Sequence, residues 1–485
     1  MNVLKVLKTS GHILFIEAIF MLLPMLVGFT YGEFDLWYAY LIPVGALLLF
    51  ALLFTKLPVK KQNFYIKEGF ITAGLSWILI TIFGCLPFII SGSTSSFTDA
   101  IFETVSGFTT TGATIFKTVE QLPKGILFWR SLTHFLGGMG ILVFMLAMLP
   151  KTSGNDIHIY RAESTGVNIS KIASKMKTTA VILYVIYVSL TIIEIIMLLC
   201  GGEMNLFESV CYSFSTAGTG GFAVKNDSVM SFGGYSQTVI AVFMLLFGVN
   251  FTIHSLIIMG KFAQAFKSEE LHWYIGIVFV AVLVSTLSCI DYFGSFTSSL
   301  HISFFQVASI MTTTGFTIVD VNTFNALPKI ALCVVVLLMV IGSMSGSTGG
   351  GMKVSRFNIL IKSTAKDLNR SVRPNKVNII KYEGKVLNPS AIRSVRLYWV
   401  LYTVIILFST ILVTIFENGA FTLTENLTMS MSSFGNVGPA LGSAYENCAN
   451  FTIGSKLVFC INMLLGRLEI FPILVFILPS AWRYK

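Results

Sequence analysis

The chain has 485 residues, 54% of them hydrophobic and only 12% charged, with a mean hydropathy of +0.80 and a formal net charge of +10. That balance excludes a string of soluble domains and points to a polytopic membrane protein whose bilayer part is nearly the whole molecule. The seven cysteines are scattered through apolar runs and give neither a C-x-x-C metal pattern nor a disulfide framework.

The first apolar run, HILFIEAIFMLLPMLVGFT, follows Lys5 and Lys8 as a secretion signal would. Its length, the lack of a small-residue cleavage site and a second run from Leu36 mark it instead as a retained span. Runs of bilayer-crossing length recur near 12–30, 36–55, 69–90, 125–149, 179–200, 235–259, 273–293, 328–345, 396–416 and 456–480. Lys and Arg gather in alternate connections: Lys56, Lys60, Lys61 and Lys67, then Lys151, Arg161, Lys171, Lys175 and Lys177, then Lys261 and Lys267. The densest cluster is the loop expected between Lys353 and Arg396. The positive-inside rule makes these connections cytoplasmic and puts both termini inside, so the net charge is a topological signal before it is any affinity for nucleic acid. The 353–396 loop is also where a cytosolic partner or acidic lipid would bind.

The remaining connections carry a short semi-apolar segment and a Thr/Ser/Gly-rich strip, four times over: FTDAIFETVSGFTTTGA, NLFESVCYSFSTAGTGGF, SSLHISFFQVASIMTTTGF and ENLTMSMSSFGNVGPA. The first two share Phe-Glu-x-Val at Phe102–Val105 and Phe207–Val210, which reads as internal duplication. The expected organisation is a two-helix addition at 1–60, pore repeats at 61–160, 161–265 and 266–370, and a cytoplasmic loop with a fourth repeat at 371–485. Each segment is too short to cross as a helix, and its strip is too polar to face lipid. Non-helical backbone at membrane depth is tolerated only inside protein or beside water, so four strips meeting on one axis would line a pore. Glycine lets the backbone aim carbonyl oxygens inward and threonine adds hydroxyl oxygens. Rings of such oxygens replace the hydration shell of a monovalent cation, and the C-terminal ends of the re-entrant helices point a negative dipole at it. The strips carry no formal charge, which disfavours Ca²⁺ and Mg²⁺.

The second span of the third unit is interrupted by IGSMSGSTGGGMK at 341–353, too glycine-rich to continue as a regular helix. As a phosphate loop it lacks lysine directly after the final glycine and a Ser/Thr after Lys353. Arg467 and Glu469 lie in the last apolar run, where ionisable residues are costly and mark either function or a pairing of Arg467 with Glu469 or with backbone. Arg130 and Glu103 read as structural anchors. The six histidines form no ligand cluster, and no nucleophile, base and orienting group can be assembled, so an enzyme is not indicated.

TTTGA, TGGF, TTTGF and NVGP, in that order between paired spans, resemble the four pore-loop signatures of the K⁺ transporter superfamily that includes the Trk, Ktr and plant HKT proteins. The two extra N-terminal spans, WRSLTHFLGGMGI (129–141), RAESTGVNISKIASKMKTTA (161–180), GSTGGGMKVSRF (346–357) and GRLEIFPIL (466–474) narrow the resemblance to the TrkH type. It implies an all-α polytopic protein with four span–pore loop–span repeats in pseudo-fourfold arrangement around one pore. It further implies K⁺ uptake at a bacterial inner membrane, a homodimer in the lipid bilayer with one pore per subunit, a cytosolic nucleotide-binding partner of the TrkA kind, and K⁺ as the transported ion with no bound cofactor. Ion coordination is implied at Thr110, Thr111 and Gly112; Thr219, Gly220 and Gly221; Thr313, Thr314 and Gly315; and Asn436, Val437 and Gly438. The 341–353 loop, with Gly346, Gly349, Gly350 and Gly351, would be a gate beneath the filter, and Arg467 a fixed charge in the cavity there. Glycine at all four closing positions favours K⁺, since family members with serine at the first of them tend to accept Na⁺. The fourth strip departs from the pattern in lacking the threonine run. The competing readings are a Na⁺ or mixed monovalent cation transporter, an ion-coupled symporter with a midplane site, and a non-conducting scaffold or receptor whose glycines only pack helices.

Overall fold

The structure, a computed structural model, describes residues 3–58, 66–140, 176–373, 379–445 and 447–482. Among them the only strands form a two-residue antiparallel hairpin, Lys381–Tyr382 with Lys385–Val386. Everything else regular is helical. The helices that matter below are α1 (Val3–Thr30), α2 (Trp37–Thr55), α3 (Ile66–Gly84), α4 (Phe97–Phe108), α5 (Lys124–Gly138), α6 (Met176–Cys200), α7 (Leu206–Gly218), α8 (Gly234–Phe247) and α9 (Phe251–Ile258). They continue with α10 (Glu269–Phe293), α11 (Phe296–Met311), α12 (Lys329–Ile341), α13 (Val354–Val372), α14 (Pro389–Glu417), α15 (Leu423–Gly435), α16 (Ile453–Arg467) and α17 (Phe471–Ile477).

α1 and α2 are the N-terminal pair. Small residues let membrane helices approach closely where no hydrophobic drive from water exists; at Gly11 even a Cβ would meet the Cβ of Phe54 at 2.7 Å. After them comes the same order four times: a first helix of 19 to 29 residues, a capped helix of 12 to 16, a polar strip, and a further helix of 13 to 15 described residues. By length and composition six described helices can cross a membrane, or eight if each of two bent pairs counts as one span.

The short helices α4, α7, α11 and α15 start on side-chain caps, because their first N–H groups would otherwise lack partners. Ser96 and Ser295 accept the N–H of Asp99 (3.4 Å) and Ser298 (3.2 Å), and Asn205 and Thr422 form reciprocal capping boxes with Glu208 and Glu425. Partial burial pushes the Glu425 carboxyl up, but hydrogen bonds from Ser443 and Thr422 outweigh it and hold the group at about 2.

Three expectations need correction. The Phe-Glu-x-Val match between the first two repeats is one helical turn out of register: Glu208 caps the start of α7, whereas Glu103 lies mid-helix in α4, 2.7 Å from Arg130. The signal that does align is a serine at the same distance before each closing glycine, at Ser106, Ser215, Ser309 and Ser432. The region from Lys353 to Arg396 is not a long loop. It holds α13, whose buried positions Val354, Ser355, Asn358, Ile359 and Ser363 make one helical face, then the hairpin, then the first turns of α14. Its charge masks that periodicity in the sequence. Finally, the break in the third repeat, expected from its glycines, has counterparts: α8 and α9 meet at 96° and α16 and α17 at 118°. Residues 161–175 of the TrkH-type stretch, and the end of the run expected at 125–149, lie outside the described residues.

Candidate functional site

Each short helix ends in the same motif, with the N–H groups of Thr111, Gly220, Thr314 and Val437 returning to the carbonyls of Ser106, Ser215, Ser309 and Ser432 at 2.8–2.9 Å. This closure requires a left-handed residue just after the helix, ordinarily glycine. Here it is Thr110 (φ 54°), Thr219 (56°), Thr313 (59°) and Asn436 (54°). A β-branched residue in that region costs on the order of 1–2 kcal/mol, and such strain collects at functional sites. Two residues later Gly112 (φ 80°), Gly221 (80°), Gly315 (86°) and Gly438 (101°) are left-handed again, with the residue between at negative φ. Alternating handedness turns successive peptide N–H groups one way and their carbonyls the other.

The four strips close into a ring. A Cβ on Gly112 would run onto the carbonyl oxygen of Gly220, one on Gly221 onto that of Thr314, one on Gly315 onto that of Val437, and one on Gly438 onto that of Thr111. Each oxygen belongs to the residue before the closing glycine of the next strip, so the contacts pass from first to second, second to third, third to fourth and fourth to first. The outgoing turns repeat the circuit through hydrogen bonds: Val119 N–H to Asn226 Oδ1 (2.7 Å), Val229 N–H to Thr317 O (3.2 Å), Tyr445 O–H to Thr317 Oγ1 (2.5 Å) and Cys448 N–H to Thr114 O (2.7 Å). All four closing glycines line one vestibule of about 180 Å³. The closing glycines and the residues before them, eight of the twelve positions expected to coordinate an ion, thus meet in one ring, and Thr110, Thr219, Thr313 and Asn436 open the strips that form it.

Support for the strips comes from residues the sequence did not single out for it. His134 on α5 donates from Nδ1 to Gly107 O (2.7 Å) and accepts the N–H of Phe222 at Nε2 (3.1 Å), tying α4 to the second strip; its ring leaves no room for a side chain on Gly220. Those two bonds fix its neutral tautomer. Arg130, 1% exposed, pairs with Glu103, donates to Ala223 O (3.1 Å) and lies over the Phe222 ring at 4.1 Å. Glu103 also accepts the N–H of Ile115 (3.0 Å), so this anchoring pair clamps the first outgoing turn beside the vestibule.

Directly beneath the ring lies the chain from Gly342 to Lys353, between α12 and α13. The N–H of Gly350 bonds Thr313 Oγ1 (2.6 Å) and that of Gly351 bonds Gly435 O (2.8 Å). Gly346 and Gly351 are left-handed (both φ 75°), and a Cβ on Gly349 would meet Thr312 O at 2.7 Å. The loop also reaches the second repeat, where Gly346 O accepts from Phe251 and Thr348 Oγ1 donates to Phe247 O (3.3 Å). Arg467 spans the remaining gap, donating to Thr348 O and Gly138 O (both 2.7 Å) and to Gly137 O. Of the two pairings expected for it, the hydrogen bonds among the described residues are those to backbone. Glu469 and Ile470 are left-handed (φ 54° and 68°), and the sharp turn they make sends Glu469 to Arg356 of α13 at 2.5 Å.

Comparison with known proteins agrees with this architecture. The sequence model of TrkH, described as a cation transport protein, matches residues 38–484. The Trk system potassium uptake protein TrkH of Salmonella typhimurium is 34% identical over 86% of both chains, and that of Halomonas elongata 31% identical over 100% of both. The crystal structure of the potassium transporter TrkH from Vibrio parahaemolyticus superposes with a TM-score of 0.88 at 29% identity, covering 100% of each chain. The chain is a nearly all-helical, multi-pass membrane protein and belongs to the TrkH family of cation transport proteins, transporters rather than enzymes.

Proposed function

We propose that this protein carries K⁺ into the cell through the ring of strips, with the 342–353 loop and Arg467 as its gate. The observation that carries the reading is the circuit of backbone carbonyls, each held against the closing glycine of the strip before it. Neutral, preoriented oxygens suit an ion that gives up its water easily, and the absence of any carboxylate among the strip residues suits a single charge. The relatives' names as potassium uptake proteins support K⁺ as the cargo. In this reading the loop, bonded to Thr313 and Gly435 beneath the ring, closes the path, and Arg467 adds a fixed positive charge beside it. Release of the loop would follow from a cytosolic regulatory partner of the TrkA kind pulling on α13, which continues directly from the loop and carries Lys362, Lys366 and Arg370 on the face assigned to the cytoplasm. The reading includes a homodimer in a bacterial inner membrane, with one pore per subunit and both termini inside.

The test is growth at low external K⁺ of cells stripped of their own uptake systems, with and without a TrkA-type partner. The chain restores growth, and Gly315→Ser lets Na⁺ compete with K⁺ for uptake. Failure to restore growth with the protein inserted and the partner present refutes the cargo; unchanged Na⁺ competition in Gly315→Ser refutes the filter.

A further inference from the structure

The residues that open the four strips are equivalent in backbone but not in what their side chains touch. Thr110 and Thr313 are both fully buried and left-handed, and each continues into Thr-Gly. Thr110 Oγ1 has no hydrogen-bond partner among the described residues. Thr313 Oγ1 accepts the N–H of Gly350 at 2.6 Å. The next bond along the loop, Gly351 N–H to Gly435 O at 2.8 Å, ends on the carbonyl just before Asn436, the opening residue of the fourth strip. Among the described residues Asn436 Oδ1, like Thr110 Oγ1, is buried without a hydrogen-bond partner.

We propose that the Thr313 hydroxyl is a shared ligand, held by the Gly350 N–H when the loop is docked and turned to the permeating cation when it is not, so that K⁺ at the inner end of the strips and the docked loop compete. This rests on the filter and gate reading above and deepens it. The chemistry is direct. A hydroxyl oxygen facing a cation offers one of its two lone pairs, and a peptide N–H on the other draws electron density away and brings its own positive end toward the ion. Two such N–H groups, on Thr313 and on Gly435 O, make the inner site least hospitable to a cation when the loop is in place. Ion occupancy therefore acts on the gate from within the pore. K⁺ favours the undocked loop by as much as its affinity differs between the two states, and by linkage undocking raises the affinity by the same factor.

The experiment uses the full chain in lipid vesicles, with Cys200 and Cys333 replaced by alanine, Ser347→Cys as reporter, and a water-soluble maleimide as probe. With either Thr110 or Thr313 changed to valine, one hydroxyl is lost at the same depth, but only the second change removes the loop's anchor. In the parent chain and in Thr110→Val, K⁺ in place of choline should speed labelling of Ser347→Cys. In Thr313→Val labelling should be fast in both solutions, about fivefold above the parent in choline, the shift that loss of one ordinary hydrogen bond makes in a two-state equilibrium. Equal labelling in K⁺ and choline by the parent chain overturns the proposal, and this arm needs no substitution at Thr313. Equal K⁺ dependence in the two valine variants overturns it as well. If either result comes with lowered K⁺ affinity in both valine variants, the competition fails while the filter reading stands; unaltered affinity in both sinks the filter reading itself.

Discussion

Alanine at the closing glycines tests the ring position by position. At Gly438 an added Cβ would sit 2.5 Å from Thr111 O, so that oxygen must retreat by roughly 0.9 Å to reach ordinary contact; the encroachment grows through Gly315 and Gly221 to Gly112. All four glycines are left-handed, so alanine adds about 1–2 kcal/mol of backbone strain at each. Gly202 supplies the control, because it has φ 70° and nothing within 4 Å of an added Cβ. Gly202→Ala carries the strain without the collision. A neutral oxygen set against a full charge contributes about 1.5–3 kcal/mol net. At tenfold per 1.4 kcal/mol, displacing one of the four oxygens should weaken K⁺ binding by about ten- to a hundredfold, and because discrimination is a difference of affinities that factor is the upper limit on the fall in K⁺ over Na⁺ discrimination. The assay is the Na⁺-to-K⁺ permeability ratio in reconstituted vesicles at matched protein. Discrimination should fall most for Gly112→Ala, then Gly221→Ala, then the remaining two, and stay intact in Gly202→Ala. If Gly202→Ala loses discrimination as the ring variants do, or if Gly112→Ala keeps it, the oxygens at the ring are not what the ion meets.

Three further outcomes follow from contacts around the ring. Arg467→Ala removes the donors to Thr348 O, Gly138 O and Gly137 O and the charge below the strips; flux without the partner should rise by about tenfold, taking one charged hydrogen bond as the net loss, and a fall at normal protein amount would contradict the gate. His134→Phe keeps the ring's bulk but strands the carbonyl of Gly107 and the N–H of Phe222. It should cost about 2–4 kcal/mol, read as a lower thermal midpoint in detergent, and an unchanged midpoint would mean that those groups find other partners. Glu103→Leu leaves the guanidinium of Arg130 buried without its carboxylate, a loss of about 3–5 kcal/mol that Glu103→Leu/Arg130→Leu should largely restore. Should the double variant prove no more stable than the single, the pair is not coupled.

What could be read from the sequence was whatever repeats or interrupts locally. Four polar strips between apolar runs announced the re-entrant units, and the glycines from Gly342 to Gly351 announced a helix break that the structure places between Ile341 and Val354. Contacts between distant segments left little trace. Nothing near His134 shows that its ring bridges Gly107 and Phe222, and a lone histidine in an apolar run is ordinarily a packing residue. The pairing of Arg356 with Glu469 joins residues separated by a loop, two long helices and a re-entrant segment. The breaks after Phe247 and Arg467 were missed because each is a few residues long: Gly248-Val249-Asn250 with Asn250 capping α9, and Leu468-Glu469-Ile470 with two left-handed residues. A polar residue within two positions of a glycine inside an apolar run, Asn250 after Gly248 and Arg467 after Gly466, is the signal in both cases.

The fourth strip shows why a symmetric backbone does not require a symmetric sequence. Its opening position must be left-handed, and asparagine tolerates that region better than threonine does, so NVGP relieves strain that TTTG carries. Its longer side chain also does something threonine cannot: Asn436 Nδ2 donates to Thr111 Oγ1 and to Met463 O, both at 3.0 Å. The first bond ties the fourth strip to the first, the junction at which the circuit closes between the two ends of the chain; the second ties it to α16, which ends in Arg467. At the third strip the opening position instead receives the loop through Thr313. Threonine at 436 would leave Thr111 and Met463 without the donor, and asparagine at 313 would put a longer side chain where the Thr313 hydroxyl meets the Gly350 N–H at 2.6 Å. The common element of the four strips is their alternation of dihedrals. Their side chains differ because each strip rests on a different neighbour: the 342–353 loop bonds the Thr313 hydroxyl and the carbonyl before Asn436, while α5 and His134 hold the first and second strips.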